Sequence, residues 1–214
     1  MILINSFHEE NKNHRLVVSG EAKLNSWIEP IGTHYLFGKK MHVELEDESI
    51  FRSPEYSAVS VQKKYKLVNY ENILCIETPG FVGHFSGVQI CNNEPGALSY
   101  VDGCSNTNVI PPIRNGDPCL NYLYIPPGTN QSVHLHPSVR IGIITGGKGF
   151  AKYFSENKEL KIELYEGVKF VLPRMMRHSF ITTDSHLSVA VFHPDSAGGP
   201  VDEANPMRLR TLFN

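Results

Sequence analysis

The sequence has no CxxC pair, no basic block, no long apolar run and no sustained helical period, and each absence excludes a class of protein. Its four cysteines, Cys75, Cys91, Cys104 and Cys119, stand far apart. That spacing suits reduced thiols better than a disulfide framework or a zinc ribbon. Lys and Arg number 20 against 22 Asp and Glu, a net charge of −2 with histidine neutral. Phosphate contacts need clustered cations, so nucleic acid is not an expected partner. No apolar stretch reaches the length of a bilayer span, and the opening residues, MILINSFHEENKNHR, turn polar before a signal-peptide core can form. The expectation is a cytoplasmic protein with no membrane partner, in which the Asn130-Gln131-Ser132 sequon carries no meaning.

What is present is a chain of 214 residues, 41% hydrophobic and 20% charged, enough to bury one large core or two smaller ones. Its recurrent unit is a short run of β-branched and aromatic residues closed by Gly, Pro or Asn. Strands are expected at 15–18, 41–45, 57–61, 73–77, 87–91, 120–125, 140–145, 150–154, 160–164, 169–172 and 187–192. Many short strands with frequent turns indicate an all-β sandwich or barrel. The stretch 92–118, rich in Asn, Gly and Pro, reads as a connector. It separates an N-terminal β-rich half, 1–110, from a second half, 111–214. A repeat runs the same way: Tyr165-Glu166-Gly167, Pro173, His178 in the second half against Tyr70-Glu71-Asn72, Pro79, His84 in the first, a match of a size that also arises by chance.

The most informative segment starts at Gly128 and carries His134-Leu135-His136, Arg140 and Gly146-Gly147. Residues two apart on a strand share a face, so the two imidazoles project side by side as a metal clip. Downstream, Gly167, Pro173 and His178 add a third imidazole just after a strand and a proline turn. Three histidines converging from neighbouring strands take one side of a metal ion and leave positions open to ligand.

These two segments resemble the paired motifs of the cupin superfamily. Its first motif runs Gly, five residues, His-x-His, three or four residues, Glu, six residues, Gly; Gly128, His134, His136 and Gly147 fall in register. Its second runs Gly, five residues, Pro-x-Gly, two residues, His, three residues, Asn; Gly167, Pro173 and His178 fall in register. The resemblance covers roughly residues 115–195 and implies a double-stranded β-helix barrel, or jelly roll, with a metal held in its mouth by His134, His136 and His178. By extension, the first half is a degenerate second cupin barrel without the clip. His42 and His84 read as vestigial or structural.

The sequence departs from the pattern at three positions. Arg140 stands where the family has its metal-binding Glu, Met175 replaces the glycine of the second motif, and Thr182 replaces its Asn. A guanidinium cannot ligate a cation, so the glutamate-dependent chemistries of the superfamily, oxalate decarboxylation among them, are not expected. Counting in twos from His134 puts Arg140 on the inward face. Two readings of it stand side by side: an ion pair with Glu163 or Glu166, or a fork for a substrate carboxylate or phosphate. A three-histidine iron site beside such an arginine resembles, in geometry alone, the thiol dioxygenases among the cupins. His193 reads as an exposed strand end before Pro194 or as an acid/base group facing the pocket. Tyr122 and Tyr124 share a face of the strand entering the motif, where they line the pocket for substrate or belong to the core.

The functional expectation is a metal-dependent oxygenase: Fe(II), with Zn, Ni or Mn as alternatives, held by the three histidines, and a small anionic substrate oriented by Arg140. A non-catalytic ligand-binding or assembly cupin and a metal-dependent isomerase or lyase are the competing readings. A homodimer is expected, because sheet edges in such barrels are commonly covered by a partner.

Overall fold

The structure, a computed structural model, describes residues 2–3, 6–11, 14–90, 94–114, 116–155 and 158–195. Cys91 and the C-terminal stretch from residue 196 lie outside them. In the first half the strands are β1 (Ile2–Leu3), β2 (Ser6–Asn11), β3 (His14–Ser19), β4 (Trp27–Ile28), β5 (Gly32–Leu45), β6 (Ile50–Ser53), β7 (Ser57–Val61), β8 (Tyr65–Pro79) and β9 (Ser86–Gln89). A short middle section holds β10 (Leu98–Ser99), a 3-10 turn (Val101–Gly103) and β11 (Ser105–Ile110). Then follow β12 (Cys119–Ile125), β13 (Arg140–Ser155), β14 (Lys158–Tyr165), β15 (Lys169–Leu172), β16 (His178–Ile181) and β17 (Leu187–His193). Among the described residues no helix is long and apolar enough to cross a membrane.

The strands form two antiparallel sheets. One runs β2-β3-β8-β5-β7-β9, with β4 on β8 and β6 on β5; the other runs β1-β15-β13-β17-β12-β11-β10, with β14 and β16 on β13. Expected strands 140–145 and 150–154 are one strand, β13. Gly146-Gly147 reads as a turn in sequence, but β13 passes through it with a register shift against β17 between Ile144 and Gly146, the mark of a bulge. The stretch 92–118 is more than a connector: β11 pairs with β12 along Ser105↔Tyr124 to Ile110↔Leu120. Sheet pairing crosses residue 110 twice, since β1 pairs with β15 and β10–β11 extend β12.

Three apolar clusters hold these layers. Leu36, Met41, Val43, Val59, Tyr65 and Leu67 fill the interior of the first half. Tyr35, Phe37, Leu74 and Ile76 from the first sheet meet Leu120, Tyr122, Ile141 and Phe192 from the second in an inter-sheet core. Leu123, Ile125, Phe170, Leu172, Phe180 and Val191 line the inside of the second half. Burial on both faces removes the alternation that otherwise orients a strand: β12 is buried at every position but Tyr124.

The repeat landmarks correspond only in part. Tyr165-Glu166-Gly167 closes β14, whereas Tyr70-Glu71-Asn72 lies inside the continuous β8, and His178 opens β16 while His84 lies outside any strand. The strand order, by contrast, is shared: β2-β3-β8-β5-β7-β9 with β6 on β5 parallels β11-β12-β17-β13-β15-β1 with β14 on β13.

Candidate active site

His134 lies just before β13, held by a two-way backbone pairing with His178 at the start of β16: His134 N to His178 O at 3.0 Å, and His178 N to His134 O at 2.9 Å. His136 is two residues on, and its carbonyl accepts from Met175 N at 2.8 Å. This pairing brings the two sequence motifs together. The ring centroids of His134 and His178 are 4.5 Å apart, with His136 at 5.2 Å from the first and 5.1 Å from the second. Their ligand atoms all lie within 4.8 Å of one another, and among the described residues this is the group of three able to hold a metal.

Two hydrogen bonds orient the donors. His134 Nδ1 lies 2.9 Å from Ser132 O, and His178 Nδ1 lies 2.9 Å from Met176 O. A carbonyl accepts only from N–H, so both Nδ1 atoms carry the proton and both Nε2 atoms are bare donors. His178 Nε2 is fully buried with no hydrogen-bond partner, a cost that a metal–nitrogen bond removes. Burial, then the Arg140 guanidinium and the other two imidazoles, push the His136 pKa down to about 3. His178 is pushed down to about 4, chiefly by burial. These two rings are neutral at physiological pH, the form a metal requires. Three imidazole ligands suit a divalent first-row ion.

Gly147 has φ of 73°, and a Cβ there would lie 1.9 Å from the His186 carbonyl oxygen, so no side chain fits. Met175, where the pattern has glycine, retains a left-handed φ of 60° with its side chain 54% exposed. Thr182 replaces the Asn with a different bond set: its hydroxyl donates to Pro126 O and accepts from Thr129 N at 2.9 Å, closing the turn that leads into the His-x-His segment.

The cluster opens on a cavity of about 510 Å³. Leu123, Phe170, Leu172, Phe180 and Val191 form apolar walls, and Arg140 and His193 line it as well. Arg140 is 2% exposed. Its Nη1 donates to Ser138 O at 3.3 Å, Ser138 Oγ at 2.5 Å and Val139 O at 3.0 Å, while Nε is buried without a partner. The ion pair with Glu163 or Glu166 does not form. Glu166 bonds Lys39 at 3.1 Å, and Glu163 lies opposite Phe150 on the β13–β14 hairpin. Burial lowers the Arg140 pKa, and Asp195 opposes that from beyond ion-pair distance. His193 is not an exposed strand end. Half-buried in the cavity wall, it lies 3.4 Å from Asn121 Nδ2, and burial, then Arg140 and His136, hold its pKa well below the ordinary imidazole value.

Tyr122 and Tyr124 do not reach this cavity. On β12 the residues facing it are Asn121 and Leu123, and period-two alternation sends the tyrosines to the other side. Tyr122 packs in the inter-sheet core with its hydroxyl 2.9 Å from Ser188 Oγ, and Tyr124 stacks on His186. Asn106 of β11 also lines the cavity, and sequence reasoning missed it because its strand is polar and lay within the stretch read as a connector. His42 stands apart from the site, accepting from Arg52 Nε at 3.1 Å. Cys75, Cys104 and Cys119 are free thiols.

No known family profile matches the sequence, and no curated protein does. Solved structures do match. A cupin 2 conserved barrel domain protein from Leptotrichia buccalis aligns over 91% of this chain and 89% of its own at 13% identity and a TM-score of 0.54. Vicilin from hazelnut, Corylus avellana, aligns over 90% and 84% at 12% identity and 0.52. Oxalate decarboxylase from Bacillus subtilis, in a study of its Mn(II) centres, aligns over 90% and 76% at 10% identity and 0.54. The fold is therefore of the cupin type, two antiparallel sheets in a jelly-roll arrangement, as the paired motifs imply.

Proposed function

We propose that the chain is a metal-dependent cupin enzyme that acts on a small anionic molecule in the second half of the chain. The observation that carries this is the pairing, in one cavity, of a three-histidine cluster having a buried, unpartnered Nε2 with a buried guanidinium that has no carboxylate partner among the described residues. His134, His136 and His178 hold the ion, Arg140 receives the substrate's carboxylate or phosphate, and His193, the cavity's remaining imidazole, serves as the acid/base group. A bound divalent ion supplies Lewis acidity and, as iron, a place where dioxygen is activated. The three neutral ligands leave the ion's charge uncompensated, so an anionic substrate supplies what the missing glutamate would have. The apolar walls exclude water and strengthen both electrostatic contacts.

Iron is the first metal proposed and manganese the second, since the oxalate decarboxylase of similar fold has Mn(II) centres. The proposal extends to a cytoplasmic homodimer, a closed barrel around the site, and descent of the two halves, 1–110 and 111–214, from one duplicated unit. The test is oxygen uptake by iron-loaded protein across small carboxylates, phosphates and thiol-bearing acids. Uptake that depends on the anion, with KM raised about tenfold or more by Arg140→Gln, supports an oxygenase. Anion binding without uptake moves the reading to an isomerase, a lyase or a ligand-binding cupin.

A further inference from the structure

The cavity carries a second polar feature that the metal and Arg140 do not use. Asn106 and Asn121 are 6% and 7% exposed, both line the cavity, and the Oδ1 of each is buried with no hydrogen-bond partner. A buried amide oxygen left unpaired costs about 1–3 kcal/mol. Two of them in one wall call for donors from outside the protein.

Strand register fixes where they lie. Asn106 is opposite Leu123, Asn108 opposite Asn121, Asn121 opposite Val191, and Cys119 opposite His193. Opposed residues share a face, so Asn106 and Asn121 are diagonal neighbours, as are Asn121 and His193. Ile141 is opposite Phe192, which continues the row to His193 and Arg140. The polar groups thus run diagonally across β13, β17, β12 and β11 in the order Arg140, His193, Asn121, Asn106. With strands roughly 4.8 Å apart and a two-residue offset along them, Arg140 and Asn121 stand about 12 Å apart at their backbones. His193 Nε2 lies 3.4 Å from Asn121 Nδ2, so Oδ1 is the atom of that amide left without a partner.

We infer that the substrate is bifunctional: an anionic head taken by Arg140, and, at the far end of a short apolar spacer, a hydroxyl that donates to one of Asn121 and Asn106 or an amino group that donates to both. Val191, opposite Asn121 and two residues from His193, and Leu123, opposite Asn106, supply apolar wall along this row. A two-carbon diacid would leave both amides unpaired and most of a 510 Å³ cavity unfilled. This inference rests on the anion reading of Arg140 and deepens it.

The experiment is calorimetric titration of the zinc-loaded full chain with straight-chain acids of four to eight carbons, each paired with its ω-hydroxy counterpart. At the best length the hydroxy acid should bind about five- to tenfold tighter than the plain acid. Asn121→Leu or Asn106→Leu, whichever removes the accepting amide, should reduce that gain while leaving the plain acid's affinity and the zinc content unchanged. Equal affinities within every pair, or a gain that survives both substitutions, overturns the inference while leaving the anion site intact. Failure of every acid to bind overturns the anion reading as well.

Discussion

Replacing Arg140 with methionine should make the metal-free protein more stable, not less. The guanidinium is 2% exposed, bonds through Nη1 alone to Ser138 and Val139, leaves Nε unpaired and has no carboxylate within ion-pair distance among the described residues. Taking a charge out of water costs several kcal/mol, and hydrogen bonds to one nitrogen recover only part of it. A methionine fills similar volume against the apolar walls without that penalty. The expected gain is about 1–4 kcal/mol, by analogy with buried ionic groups replaced by apolar ones. For a chain of this length each kcal/mol raises Tm by about 2–4 °C. Metal affinity should rise too, because the nearest fixed cation is gone, and the His136 pKa, held near 3 by burial and then by Arg140, should climb. Anion affinity should fall at least about tenfold. Chemical denaturation of the apo protein, with zinc and acetate titrations, measures all three. A loss of about 3–5 kcal/mol would refute the reasoning, since that is the signature of breaking a buried structural ion pair.

Two other outcomes follow from particular residues. Met175 holds a left-handed φ of 60° with its side chain largely exposed, so Met175→Gly should stabilise the fold by about 1 kcal/mol, read as an upward shift of the denaturation midpoint; a downward shift would mean that the side chain has a packing role. The pH dependence follows from His136 and His178, whose folded-state pKa values near 3 and 4 lie below the ordinary 6.5. The unfolded chain binds protons first as pH falls, so their contribution to apo stability is full above about 6.5. It then declines by up to about 1.4 kcal/mol per pH unit for each group until the native rings protonate. Denaturant titrations from pH 7 to 4 should show this slope reduced in His178→Leu, and an unchanged slope would contradict the assignment.

The legible parts of the sequence were those with one-sided patterns. The span 57–61 was marked by its residue types and turns alone, and its strand, Ser57–Val61, begins and ends there. The three metal-binding candidates were legible from motif spacing; Arg140 does line the cavity, but period-two counting is not the reason, because the chain leaves strand geometry after His134 and bends at Pro137 and Ser138 before β13 begins. Tyr122 and Tyr124 misled because β12 is buried on both faces. One face meets the other sheet and one meets the cavity, so polarity alone does not say which residues face substrate. Asn106 was hidden for the complementary reason: Ser-Asn-Thr-Asn on β11 turns polar groups inward, toward a cavity, and inward polarity reads as loop. His193 was undecidable from sequence, because a histidine before proline at a strand end looks exposed until the neighbouring strands place it beside Arg140.

The central claim, a three-histidine metal centre, is tested most directly by elemental analysis of untagged protein, before and after loading with Fe(II), Mn(II) or Zn(II), beside His136→Ala and His178→Ala. The account predicts about one divalent ion per chain, lost in both variants while their far-UV spectra remain those of the parent. A parent protein that neither retains nor takes up a metal, or variants that bind as much as the parent, would contradict it.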